Sequence, residues 1–160
     1  MLLPSMVTKT LICVDSTDDF EFNGKMFNSY FSRIYEFRGV MEIIGIMDKF
    51  FDSIGYPQPY YSERTFERKK DEITTRREPV DAQSITKHFD EKYYDIYTGR
   101  CATFMLQVKY RKNATWQGSV AWREANRSND FRSTLELIKL MDFAVQNTNG
   151  QPVLYGWDIN

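Results

Sequence analysis

At 160 residues the chain is long enough to bury the core of one domain. With 42% hydrophobic and 27% charged residues it has a globular composition, unusually rich in aromatics at 16%. A formal charge of −1 excludes a protein that coats nucleic acid by bulk electrostatics and leaves only a local basic patch for that role.

The stretch Met1 to Lys9 lacks the charged and long apolar regions of a signal peptide, and no long uninterrupted apolar run follows, so a cytoplasmic protein with no membrane partner is expected. Leu11 to Asp15 and Phe20 to Met26 read as strands joined by the turn Ser16-Thr17-Asp18-Asp19. A helix is predicted from Val40 to Ile54. Val40, Met41, Ile44, Met47, Phe51 and Ile54 form its apolar face, and Gly55 with Pro57 stops it. Residues 56–100 break this pattern with a turn-rich exit, the mixed charges Glu67 to Glu72 and the aromatic island Tyr93-Tyr94-Asp95-Ile96-Tyr97. They are expected to form an inserted connection, mobile around 67–88 and ordered again near Tyr93.

The next hairpin is written more plainly. Leu106, Val108 and Tyr110 alternate with Met105, Gln107, Lys109 and Arg111, and Trp116, Gly118, Val120 and Trp122 alternate with Gln117, Ser119, Ala121 and Arg123. With Lys112-Asn113-Ala114 as the tight connection, the Tyr/Trp/Val face is predicted inward and the Gln/Lys/Arg/Ser face in water. A second helix runs from Thr134 to Gln146, with Leu137, Ile138, Leu140, Met141 and Ala144 on its apolar face and Ser133-Thr134-Leu135-Glu136 as a capping box. Pro152 to Trp157 reads as a short edge strand or a docking tail.

Part of this pattern occurs twice. Phe37-Arg38-Gly39-Val40-Met41-Glu42 returns 94 positions later as Phe131-Arg132-Ser133-Thr134-Leu135-Glu136, and the same ungapped offset lays Phe22-Asn23-Gly24 on Trp116-Gln117-Gly118 and Arg33 on Arg127. Two amphipathic helices share an apolar stripe by chance. A shared stripe does not supply the Phe-Arg before it or the aromatic-amide-Gly triplet upstream. The expected fold is α+β, a single domain of two duplicated ββα units at about 11–54 and 101–147, with the 56–100 insert between them and a tail at 148–160. The hairpins form an antiparallel sheet, both helices pack on one face, and a pseudo-twofold relates the units. Gly24 and Gly118 fall on the buried face, where glycine marks a place that something must approach closely, and a helix packed against the sheet explains both equally well.

Lys109, Arg111, Lys112, Arg123 and Arg127 are interleaved with Tyr110, Trp116 and Trp122, the combination that holds a nucleotide or single-stranded nucleic acid by charge and stacking. Arg38 and Arg132 stand just ahead of the helices, where free helical amides would help them hold a phosphate. Each pattern has a competing reading. Strand alternation sends the rings inward and the charges into water, while Glu42 and Glu136 repel a phosphate and pair with the arginines instead. Tyr93, Tyr94, Tyr97, Tyr155 and Trp157 lie outside the repeats and form either a partner-contact surface or a cluster covering the sheet edge.

For catalysis the residues offer little. His88 has no nucleophile pattern beside it, and no GxSxG, P-loop, HExxH or dinucleotide fingerprint occurs. Cys13 and Cys101 have neither a CxxC partner nor a companion histidine. No active site, metal or cofactor is expected, and both thiols are read as reduced and structural.

The string Tyr110 to Gly118, continuing through Trp122 to Phe131-Arg132-Ser133-Thr134-Leu135-Glu136-Leu137-Ile138, resembles a group of short uncharacterised proteins of gut clostridial bacteria. The resemblance is confined to the second unit and implies a bacterial or mobile-element protein of the cytoplasm. It brings no activity or residue role with it. The expected function is a non-enzymatic binding protein for a nucleotide or nucleic-acid ligand. The alternative is a protein-interaction module, an adaptor or inhibitor, using the aromatic insert and the tail.

Overall fold

Leu11, Ile12, Cys13 and Val14 are apolar on both sides of an extended backbone, which suits a strand covered on both faces. They belong to β1 (Thr10–Asp18) of a computed structural model that describes residues 4–18, 21–59, 66 and 85–147. A short helix α1 (Pro4–Val7) precedes it, and β2 (Glu21–Phe27), β3 (Tyr35–Arg38) and α2 (Val40–Ile54) follow. After α3 (Tyr93–Ile96) the chain forms β4 (Ala102–Tyr110), β5 (Gln117–Trp122), β6 (Arg127–Phe131) and α4 (Thr134–Gln146). The six strands make one antiparallel sheet in the order β3-β2-β1-β4-β5-β6.

The fold is therefore α+β with both long helices on one side of the sheet. Ile12, Val14, Met26, Phe104 and Leu106 meet Met47 and Phe51 of α2 and Leu137 and Met141 of α4 in the main core. On the opposite face, Tyr94 with flanking Phe89, Tyr93 and Tyr97 packs over Leu11, Cys13, Phe27 and Met105. β1 is apolar on both faces because both are covered.

The two helices begin and end where the apolar periodicity predicts. Other elements differ. A third strand stands between each hairpin and its helix, so each half reads βββα rather than ββα. These edge strands escape sequence reading because Phe37 is the sole buried residue of β3 and Phe131 that of β6. β1 continues to Asp18 through residues predicted as a turn. α2 buries Ile43, Met47, Phe51 and Ile54, while Met41, assigned to the inner face by spacing, is 76% exposed. This helix carries apolar residues around most of its circumference, and the sheet covers only one side. The charged run Glu67 to Glu72 and the tail 148–160 lie outside the described residues.

Strict alternation also fails at the end of β4. A β-bulge between Val108 and Tyr110 shifts the register, turning Tyr110 outward (50% exposed) and Arg111 inward (4% exposed), the reverse of the predicted faces. β1 carries a matching irregularity between Val14 and Ser16. A glycine is paired beside each bulge, Gly24 with Val14 and Gly118 with Val108. A Cβ would lie 1.8 Å from the Cys13 carbonyl oxygen at Gly24 and 2.0 Å from that of Gln107 at Gly118. The neighbouring strand, not a helix, therefore dictates both glycines.

Strand phase in β5 is as the alternation predicts, with Trp116 leading Val120 and Trp122 into the core. Trp116 is buried with its ring edge-on to Phe51, and its Nε1 donates to Asp48 Oδ1 at 3.0 Å. Trp116→Ala is expected to destabilise the fold by about 3–5 kcal/mol, as for other buried large aromatics, measured by urea unfolding. A loss below about 1 kcal/mol would contradict this packing.

Candidate functional site

The bulge in β4 decides the fate of the cationic cluster, because it delivers Arg111 to the core side. There Arg111 Nε donates to the Pro57 carbonyl at 2.6 Å and Nη1 to Asp52 Oδ1 at 3.0 Å, with Asp48 Oδ1 at 3.5 Å. The guanidinium also lies 5.3 Å from the Phe51 ring centre. Asp48 is thus held by Arg111 and Trp116 together. Burial nevertheless pushes its carboxyl pKa up, outweighing the lowering by the Trp116 hydrogen bond and the Arg111 charge. This network fastens the tip of the second hairpin to α2.

The remaining predicted cations do not converge. Lys109 is exposed at the bulge, and the Lys112 ammonium sits 4.8 Å over the outward Tyr110 ring. At the far end of β5, Arg123 donates to the Tyr94 carbonyl at 2.6 Å and the Tyr97 carbonyl at 3.2 Å, fixing α3 to the sheet. Arg127 is exposed on edge strand β6. Arg38 ends β3 and Arg132 follows β6 at diagonally opposite corners of the sheet, five strand spacings or about 24 Å apart across it and further apart along the strands. The Arg132 side chain is taken up by Glu136, at 3.1 Å for Nε and 3.0 Å for Nη2, while the Arg38 amide donates to the Glu42 carboxylate. Among the described residues no surface gathers these seven side chains.

The aromatic island is a covering cluster. The Tyr94 hydroxyl donates to the Lys9 carbonyl at 2.8 Å and accepts from the Ser29 amide at 3.0 Å, and its ring meets Phe27 edge-on at 4.9 Å. Burial pushes the Tyr94 pKa up. Tyr93 and Tyr97 stack on each other at 5.6 Å and also touch Phe27, leaving both half-buried. Tyr155 and Trp157 lie outside the described residues.

Sequence reading missed the concave surfaces, two of which lie on the helix side of the sheet. The larger, about 930 Å³, runs between the outward flank of α2 and the β2–β3 connection. Phe31, Tyr35, Ile46 and Phe50 line its apolar part, with Met41 on the lip and Arg33, Lys49 and His88 around it. Phe31 meets Tyr35 and Phe50 edge-on at 5.2 and 4.9 Å, and the Arg33 guanidinium lies 4.8 Å over Tyr35. A smaller groove of about 200 Å³ between α4 and β5–β6 holds Trp122, Leu140 and Phe143. On the opposite face a trough of about 650 Å³ contains Cys13, Asp15, Lys25, Glu36, Tyr97 and Arg100. Its neighbour across the α3 strap, about 390 Å³, contains Lys9, Gln107, Ser119, Ser128 and Asp130. Burial first, then the nearby Asp15 charge, pushes the Cys13 thiol up to about 11, so the first trough has a neutral thiol in its floor at physiological pH.

Among the described residues no group of acidic, histidine or cysteine side chains is arranged to hold a metal, and no helix is long and apolar enough to cross a membrane. No protein-family model, curated protein or solved structure matches the chain.

Removing Arg111 leaves Asp48 and Asp52 without their shared cation. Both carboxylates are partly solvated, so Arg111→Ala is expected to cost about 2–4 kcal/mol in urea unfolding, near the lower end for a broken buried pair. The pH dependence follows from Asp48, whose folded pKa is raised above its unfolded value. Its contribution to stability is fully present below about pH 4 and is lost as pH rises through the folded pKa. Asp48→Asn should remove that decline while keeping an acceptor for Trp116. An unchanged pH profile would refute the assignment.

Proposed function

We propose that this chain is a non-enzymatic protein-interaction module of the bacterial cytoplasm, which takes a segment of a partner protein into the groove between α2 and β3. The observation that carries this reading is the groove itself, about 930 Å³ with an aromatic wall, open to solvent beside a methionine that is 76% exposed. Flexible methionine and rigid aromatics suit a peptide surface that anchors apolar side chains. Arg33, Lys49 and His88 stand around the aromatic part, with Glu36 and Glu42 on the same rim and Glu42 held by the Arg38 amide. On this reading the partner segment supplies apolar anchors for the aromatic wall and an acidic residue to meet Arg33 or Lys49. A nucleotide ligand has less support, because the hairpin cations that would hold it are dispersed and Arg111 is spent on the core.

We further propose that β1–β2–β3–α2 and β4–β5–β6–α4 are copies of one unit related by a pseudo-twofold through the Leu11 and Met105 pair. Several independent features repeat at the 94-residue offset. They include the bulges after Val14 and Val108, the pairs Gly24↔Phe37 and Gly118↔Phe131, and the helix starts at Val40 and Thr134. The concavities follow the same offset. Arg33, Tyr35, Ile46, Lys49 and Phe50 in the large groove correspond to Arg127, Asn129, Leu140, Phe143 and Ala144 in the small one. On this reading one groove was widened for a partner while its counterpart stayed small.

Panning a random peptide library displayed on phage against the whole chain tests the function. Enrichment is expected for peptides that set Asp or Glu beside aromatic or aliphatic anchors. Their affinity should fall at least about tenfold in the double variant Met41→Glu, Lys49→Glu and stay unchanged in Lys109→Glu. Peptide binding that ignores the α2 variant, or saturable binding of nucleotides lost on changing Lys109, would overturn the proposal.

A further inference from the structure

We propose that the charged trough on the sheet face opposite the helices, built from β1, β2, β3 and the segment before β4, is a binding site for a small zwitterion of the α-amino-acid type. It opens on the other side of β3 from the α2 groove, with Glu36 lining both, and it does not rest on the peptide reading.

Lys25 of β2 stands directly opposite Glu36 of β3 on one side and Cys13 of β1 on the other. Cross-strand neighbours have Cβ atoms roughly 5 Å apart, so a cation and an anion are presented at a spacing that suits a ligand whose own charges are two or three bonds apart. Arg100 adds a second cation, and its amide anchors Asp15 through Oδ1 at 3.1 Å, which adds a second anion beside it. The side chains of Lys25, Glu36, Arg38 and Arg100 form no hydrogen bond or ion pair with other described residues, although opposite charges lie on adjacent strands. Charges of both signs, left unpaired around a concavity, suit a ligand that supplies both complements. A simple anion would meet Asp15 and Glu36, and a simple cation would meet Lys25 and Arg100.

The rest of the lining supplies a place for a side chain. Phe27, Ile34 and Tyr97 line the trough, and the buried, neutral Cys13 thiol adds no competing charge. A ligand carboxylate would meet Lys25 and Arg100, its ammonium Glu36 and Asp15, and its apolar group the Tyr97 side. A second hollow of about 420 Å³, lined by Asn23 and Arg38, shares Asp15, Lys25 and Glu36 with the trough. The counterpart trough provides an internal control: it places Ser119 where Lys25 stands and Gln107 where Cys13 stands, so it lacks the central cation.

Isothermal titration calorimetry of the full chain against the twenty free L-amino acids, with acetate and ethylammonium as half-ligands, tests the assignment. At least one apolar or aromatic amino acid should give saturable heat, and each half-ligand should bind about tenfold more weakly or not at all. Lys25→Ala and Glu36→Ala should each weaken binding about tenfold, as expected for losing a hydrogen bond to a charged group. Both positions are exposed, so circular dichroism should show an unchanged fold. Ser119→Ala in the other trough should leave the affinity as it was. Absence of saturable heat with every amino acid, equal binding of acetate alone, or affinity unaffected by both trough variants would overturn the proposal.

Discussion

Everything else in the molecule depends on the seam between β1 and β4. Five antiparallel pairs, from Thr10↔Leu106 to Val14↔Ala102, join two three-stranded halves into one sheet. Leu11, Ile12 and Val14, with Phe104 and Leu106 opposite, are fully buried or nearly so. Each aliphatic side chain removed from water contributes on the order of 1.5–3 kcal/mol, so the seam holds by burial as well as by its ladder. A three-stranded half with one helix would leave this strand edge bare. The halves are thus stable as a pair, and the helix layer and α3 strap both close over the same line.

A second constraint follows from the bulges. By inserting one residue into β4, the chain brings the Gln107 carbonyl so close that only glycine fits opposite, and it rotates Arg111 from solvent into the core. One backbone irregularity thereby explains a glycine on a buried face, a buried arginine clamped to two aspartates, and the dispersal of a cationic run that looks continuous in sequence. Arg111 ties the hairpin tip to α2 where a regular strand would have offered a basic surface.

What was legible in the sequence was whatever obeys a simple period. Val40–Ile54 and Thr134–Gln146 follow the helical period, and Ser133 caps α4 by accepting the Glu136 amide at 3.1 Å. Leu106, Val108, Val120 and Trp122 follow the strand period. The edge strands were illegible because an edge strand with one buried residue has no pattern to show. Met41 was misassigned because α2 is apolar on more sides than the sheet covers. The grooves and troughs were invisible for a different reason: His88, Tyr97 and Arg100 reach them from segments remote in sequence.

Native-state hydrogen exchange tests most directly the claim that the seam unites the two halves. Amides of Ile12, Cys13, Phe104 and Leu106 should exchange only through global unfolding, and the strands on both sides of the seam should lose protection together as denaturant rises. A half that exchanges at clearly lower free energy while the other keeps its protection would contradict the account.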